Sequence, residues 1–177
     1  MNGPVAVAKL VSMLLLAIAG YTGFAVPKQH PEISFLSQSE LQVRFCGWPC
    51  PIHAFFPPGS TIYLERGLNV FHDLASESIL VHELTHWMQQ ANLPHPTAQS
   101  CQEWLDREYQ AFDVQYRWLR DASSNIGIFS IEMAKLNHGP LVASCPSVDS
   151  SQPTGLSDSA LAKSPPSRAG TLAGYGG

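Results

Sequence analysis

The sequence predicts a small α+β domain, mostly helical, with a short sheet preceding the first of two long helices. Three observations carry that expectation. Two stretches, near residues 73–92 and 100–121, show a helical hydrophobic period bounded by capping residues and breakers. Two shorter segments upstream, residues 41–45 and Thr61–Glu65, alternate or carry β-favouring residues beside turn signals. Finally, 45% of the 177 residues are hydrophobic, enough for one real core.

The N-terminus comes first. Lys9 precedes an apolar run over residues 10–19, and small residues follow at Ala17-Ile18-Ala19 and Gly23-Phe24-Ala25. That order is expected of a secretory signal peptide over residues 1–25, with cleavage near Ala19 or Ala25. The competing reading is an uncleaved N-terminal anchor, although the run is shorter than the roughly 20 residues of a membrane span. After signal cleavage, no integral membrane association is expected. Both readings place the rest of the chain outside the cytoplasm, as a periplasmic or secreted protein.

In an oxidising compartment the four cysteines are expected to form disulfides. Four cysteines allow three pairings. Cys46–Cys50 would close a tight loop around Gly47-Trp48-Pro49, and Cys101–Cys145 would tie a C-terminal segment to the core. A redox or zinc role for Cys46 and Cys50 is the lesser alternative.

Residues 26–39 read as a Pro-containing lead-in. Residues 41–45 read as a first strand, and Thr61–Glu65, after Pro57-Pro58-Gly59, as a second. The first long helix begins near Asp73 or Ser76 and runs to about Asn92, where Pro94-His95-Pro96 forbids continuation. The second begins at Ser100, whose spacing to Glu103 makes an S-x-x-E capping box, and holds to about Asp121. A shorter helix is plausible over residues 128–136, before Asn137-His138-Gly139-Pro140. Beyond Cys145 the composition shifts to Ser, Pro, Gly and Ala, so residues 147–177 are expected to be a disordered tail. The folded unit is then residues 26–146, and no internal repeat is visible.

Charge excludes some partners. Only 14% of residues are charged and the net charge is −4, with no basic stripe for nucleic acid and no polybasic membrane patch.

The chemistry sits in His82-Glu83-Leu84-Thr85-His86. Histidines four apart share one face of a helix, so both imidazoles can bind one metal ion, and Glu83 can take a proton from a metal-bound water. On a helical wheel Leu80, Val81, Leu84, Trp87, Met88 and Ala91 cluster on one side. His82, Glu83, Thr85, His86, Gln89 and Gln90 take the other, expected to face a cleft. Two surface histidines on an amphipathic helix are the bland alternative. The second helix offers a candidate third ligand, the alternative being a buried ion pair of Glu108 with an arginine or a histidine. Its wheel places Cys101, Trp104, Leu105, Tyr109, Ala111, Phe112, Tyr116 and Leu119 on an apolar face. Glu108 falls amid that face, where a carboxylate is costly unless it is paired or metal-bound. Glu103, Asp106 and Arg107 fall on the solvated side. Gln115, two turns after Glu108, is expected to be either a hydrogen-bonding partner of the ligands or an ordinary helix-packing amide.

At these residues the chain resembles the zincin metallopeptidases, and within them the gluzincin type. The resemblance covers about residues 61–119, through the H-E-L-T-H-x-x-Q helix and the downstream Glu108-Tyr109-Gln110-Ala111-Phe112-Asp113-Val114-Gln115. Small bacterial zincin-like domains are similar in the same two helices. The resemblance implies a zincin-like domain with His82, His86 and Glu108 as Zn2+ ligands and Glu83 as catalytic base. It also implies that Thr61–Glu65 is the strand along which substrate lies, an ordinary structural strand being the equal alternative. Gln89 and Asn92 stand where the metzincin pattern needs Gly and His, which excludes that subclass. Phe112 stands where gluzincins often carry an aspartate that orients a ligand histidine. Tyr109 and His138 are candidates for oxyanion stabilisation by residue type alone.

The expected function is a zinc-dependent peptidase acting on peptides, envelope proteins or peptidoglycan cross-links, as a monomer. The alternatives are a catalytically inactive zinc-binding envelope protein and a disulfide-stabilised interaction module.

Overall fold

The computed structural model describes residues 4–46, 50 and 52–122. The expected helix at residues 128–136, His138, Cys145 and the tail lie outside them. The described residues form a small α+β domain: four helices and a three-stranded mixed sheet.

Helix α1 (Pro4–Thr22) comes first, apolar nearly all round. Its inner face, Leu10, Val11, Leu14, Leu15 and Ile18, is buried in the common core against two later helices, α3 and α4. Its outer face carries exposed Val5, Met13 and Leu16. By length and composition the helix could serve as a signal or a membrane segment. Cleavage at Ala19 or Ala25 would therefore remove five core residues. Just beyond the helix, the Asn92 side chain hydrogen-bonds both backbone groups of Ala25, at 2.8 and 3.0 Å.

Strand β1 (Glu32–Leu36) lies in the lead-in, where the sequence was expected to give only a linker. Helix α2 (Gln38–Leu41) follows and opens into a wide π-type turn over Gln42–Cys46. Residues 41–45 are thus helical, not the expected strand. The local cap explains the difference: Ser37 and Glu40 form a complete capping box that starts a helix. The alternation of residues 41–45 has no second face to bury, since Leu41 is buried while Val43 points to solvent. The Cys46–Cys50 disulfide closes the turn as expected. Cys101 is disulfide-bonded too, and its partner lies outside the described residues.

The short strand β2 (Ala54–Phe55) and strand β3 (Thr61–Glu65) complete the sheet, in the order β1-β3-β2. β1 runs parallel to β3, with Glu32 opposite Thr61, and β2 runs antiparallel to it, with Phe55 opposite Tyr63. Ile62 and Leu64 point into the core in the alternation a half-buried strand requires. β3 is central, paired with β1 along its whole length and with β2 at Tyr63 and Leu64, as an ordinary structural strand would be.

Helix α3 (Leu74–Asn92) begins where the sequence places it. Asp73 caps it, accepting from the Ser76 amide at 2.9 Å and from the Ser76 hydroxyl. Helix α4 (Cys101–Ala122) begins after Ser100, whose hydroxyl accepts from the Glu103 amide at 3.1 Å. The Glu103 carboxylate closes the cap on the Gln99 amide at 2.8 Å, one residue earlier than the S-x-x-E pattern implies. It also pairs with Arg107. Arg107, placed by the wheel on the solvated side, is buried. Its guanidinium donates to the carbonyls of His95 and Pro96 at 2.7 and 3.1 Å and so fastens the α3–α4 connection. The buried face of α4 includes Val114 and Trp118, about one position around from the face the wheel selects.

Candidate metal centre

Helices α3 and α4 are the most extensively packed pair of elements, and the site lies between them. Residues four apart on α3 stack His82 over His86, their Nε2 atoms 3.1 Å apart. Glu108 faces them from α4. Its Oε2 lies 3.4 Å from His82 Nε2 and its Oε1 lies 3.3 Å from His86 Nε2. All three side chains are largely buried, and the group could hold a metal ion. The three residues singled out by sequence are therefore brought to one point by two consecutive helices.

Glu83 is only 8% exposed. It interacts electrostatically with His82, His86 and Glu108, and its carboxylate accepts the backbone N–H of Phe56, the residue just past β2. The polar side of α3 thus does not open on solvent as its wheel implies. Thr85 and Gln89 are buried as well, and Gln90 hydrogen-bonds both backbone groups of Gly59 at 2.8 and 3.0 Å. Polar side chains on this face are consumed by neighbouring backbone rather than by water.

The electrostatics follow from burial and proximity. Burial opposes charge on His86, yet the Glu108 carboxylate beside it outweighs burial and, with Glu83, pushes His86 up to about 9. Burial likewise favours a neutral Glu108, but hydrogen bonds from His82 and His86 hold its carboxyl well below the ordinary range. For Glu83 burial dominates and pushes the carboxyl up, with Glu108 adding to the rise. The two histidines and the Phe56 amide offset part of it. Without a metal, the histidines and Glu108 are a buried ion-pair cluster. A cation in their midst would supply the positive charge that a proton supplies otherwise.

The remaining candidates separate. Gln115 donates from Nε2 to Ser78 Oγ at 3.0 Å, one turn before His82, so it is the helix-packing amide of the two alternatives. Tyr109 follows Glu108 in the chain but is 37% exposed on α4. Phe112 packs on the His82 ring, with centroids 4.4 Å apart. His82 Nδ1 is buried with no hydrogen-bond partner among the described residues. Gln89, not singled out by sequence, contacts His86 Nδ1 at 2.9 Å. Its spacing, three residues after His86 on the same helix, is the signal that could have found it. No family model, curated protein or solved structure matches the chain.

Proposed function

We propose that the chain is a zinc-dependent metallohydrolase that cleaves peptide-like amide bonds outside the cytoplasm. The observation that carries this reading is the cluster of donor atoms that His82, His86 and Glu108 bring together. Ligands about 2.0–2.2 Å from a tetrahedral zinc lie about 3.3 Å from one another. Here the two Nε2 atoms are 3.1 Å apart, His82 Nε2 lies 3.4 Å from Glu108 Oε2 and His86 Nε2 lies 3.3 Å from Glu108 Oε1, and one donor atom from each residue lies within 4.8 Å of the others. Two imidazoles and one carboxylate are also the donor set of catalytic zinc sites that keep a fourth position open. The N-terminal apolar helix and the disulfides favour an extracytoplasmic setting.

Bound zinc would polarise the scissile carbonyl and lower the pKa of a water at the open position. Glu83 is placed to take the proton of the attacking water and pass it to the leaving amine. Its raised carboxyl pKa brings it nearer the working pH, as suits a general base. The Phe56 amide on its carboxylate fixes its direction. β2, an edge strand just before Phe56, is the edge an extended peptide would pair with, its backbone then running past Glu83.

The test is Glu83→Gln. That variant is expected to retain zinc and lose hydrolysis of a panel of peptides and peptidoglycan fragments by at least about 100-fold, the lower end of what one general base contributes. An unchanged rate would remove Glu83 from the mechanism. Zinc bound by the wild type with no cleavage of any panel member would favour the inactive zinc-binding alternative.

A further inference from the structure

Gln89 is 1% exposed, as buried as any leucine of the core, and all of its amide's capacity points in fixed directions. Its Nε2 donates to the Arg107 carbonyl and to Gln110 Oε1, both at 2.9 Å. Its Oε1 lies 2.9 Å from His86 Nδ1. The opposite amide orientation would set Oε1 against the Arg107 carbonyl, two acceptors facing each other, so the α4 backbone fixes which end of the amide meets His86. Only an acceptor is then available to His86 Nδ1. The imidazole must carry a hydrogen there, so Nε2, which faces Glu108 and His82, is the nitrogen free to exchange its proton for a metal.

We infer that Gln89 is the positioning residue of the metal centre, holding His86 in the Nδ1–H form whose Nε2 binds the metal. The inference rests on the zinc reading above. Among the described residues His82 has no equivalent: its buried Nδ1 is unpartnered, and its ring packs on Phe112. The site is therefore oriented from one side, through a chain that begins on the α4 backbone at Arg107. The Arg107 side chain in turn grips the α3–α4 connection at His95 and Pro96. Ligand orientation and closure of the helix pair are thus one hydrogen-bonded unit.

Gln89→Met keeps the volume and removes the acceptor. Gln89→Glu keeps an acceptor for His86 and, if protonated, a donor for Arg107. Zinc affinity by chelator competition and melting of the metal-free chain are to be measured on both. Gln89→Met is expected to bind zinc about 10- to 100-fold more weakly, the usual effect of losing such a partner. Its metal-free melting temperature should also fall, because His86 Nδ1 and Gln110 Oε1 lose a buried partner, so affinity is measured at a temperature where the metal-free chain is folded. Gln89→Glu is expected to stay within about threefold of wild type, as a retained acceptor requires. Wild-type affinity in Gln89→Met, or a Gln89→Glu variant as weak as Gln89→Met, would overturn the inference and leave the metal site standing. If Gln89→Met does not fold, Gln89→Glu decides alone: tenfold weakening or more overturns the inference. A wild type that binds no zinc overturns both readings.

Discussion

At the scale of single residues, the site is a balance of burial against charge, and that balance sets its pH behaviour. In the metal-free chain His86 is raised above its ordinary value of 6.5 to about 9. A raised histidine contributes stability that is fully present below 6.5 and is lost as pH rises through about 9. Glu83 is also raised, so it adds to the loss in the same direction. Glu108 is depressed, and its contribution holds above the ordinary carboxyl value and is lost only as pH falls well below it. The chelated protein should therefore lose stability between pH 6.5 and 9 in urea unfolding. Zinc-loaded protein should lose less, because the metal replaces the proton on His86. Equal slopes with and without zinc would separate the histidines from the metal. These residues differ in how far the sequence exposes them. His82, Glu83 and His86 form a local motif, and Glu108 stands out as a carboxylate on an apolar face. Gln89 was read as one more polar residue, because its role depends on Arg107 and Gln110 across the helix interface.

At the scale of elements, segments governed by local signals were legible and those governed by tertiary contacts were not. Asp73 and Ser100 start α3 and α4 where capping chemistry puts them, and Thr61–Glu65 is a strand. Residues 41–45 follow the Ser37–Glu40 capping box, against their alternation. β1 and β2 exist only because β3 lies between them, a long-range pairing no short segment announces. The wheel of α4 was displaced because Arg107, polar by composition, is buried by carbonyl acceptors on the preceding loop. The central role of β3 has a measurable consequence. Ile62 is fully buried at the middle of the sheet. Ile62→Ala should therefore cost about 2–5 kcal/mol in chemical denaturation, the range for a buried aliphatic truncated to alanine. A change below about 0.5 kcal/mol, typical of surface positions, would mean that the sheet is not part of the core.

At the scale of the whole molecule, the core draws on every element, α1 included. Its inner leucines meet the helices that carry His82, His86 and Glu108, while Met13 and Leu16 on its outer side are 56% and 66% exposed. Composition alone could not separate these faces, since both are apolar. Leu14→Ala in the full chain should cost about 2–5 kcal/mol, whereas Leu16→Ala should stay within about 0.5 kcal/mol. Equal small effects at both positions would detach α1 from the core.

Everything proposed for this molecule passes through one ion held between α3 and α4, so the most direct measurement is the zinc content of the purified full chain. His82→Ala and Glu108→Ala should be measured beside it. A single zinc per chain in the wild type, lost in both variants, is the predicted result. Absence of zinc from the wild type, or its full retention in Glu108→Ala, would contradict the site.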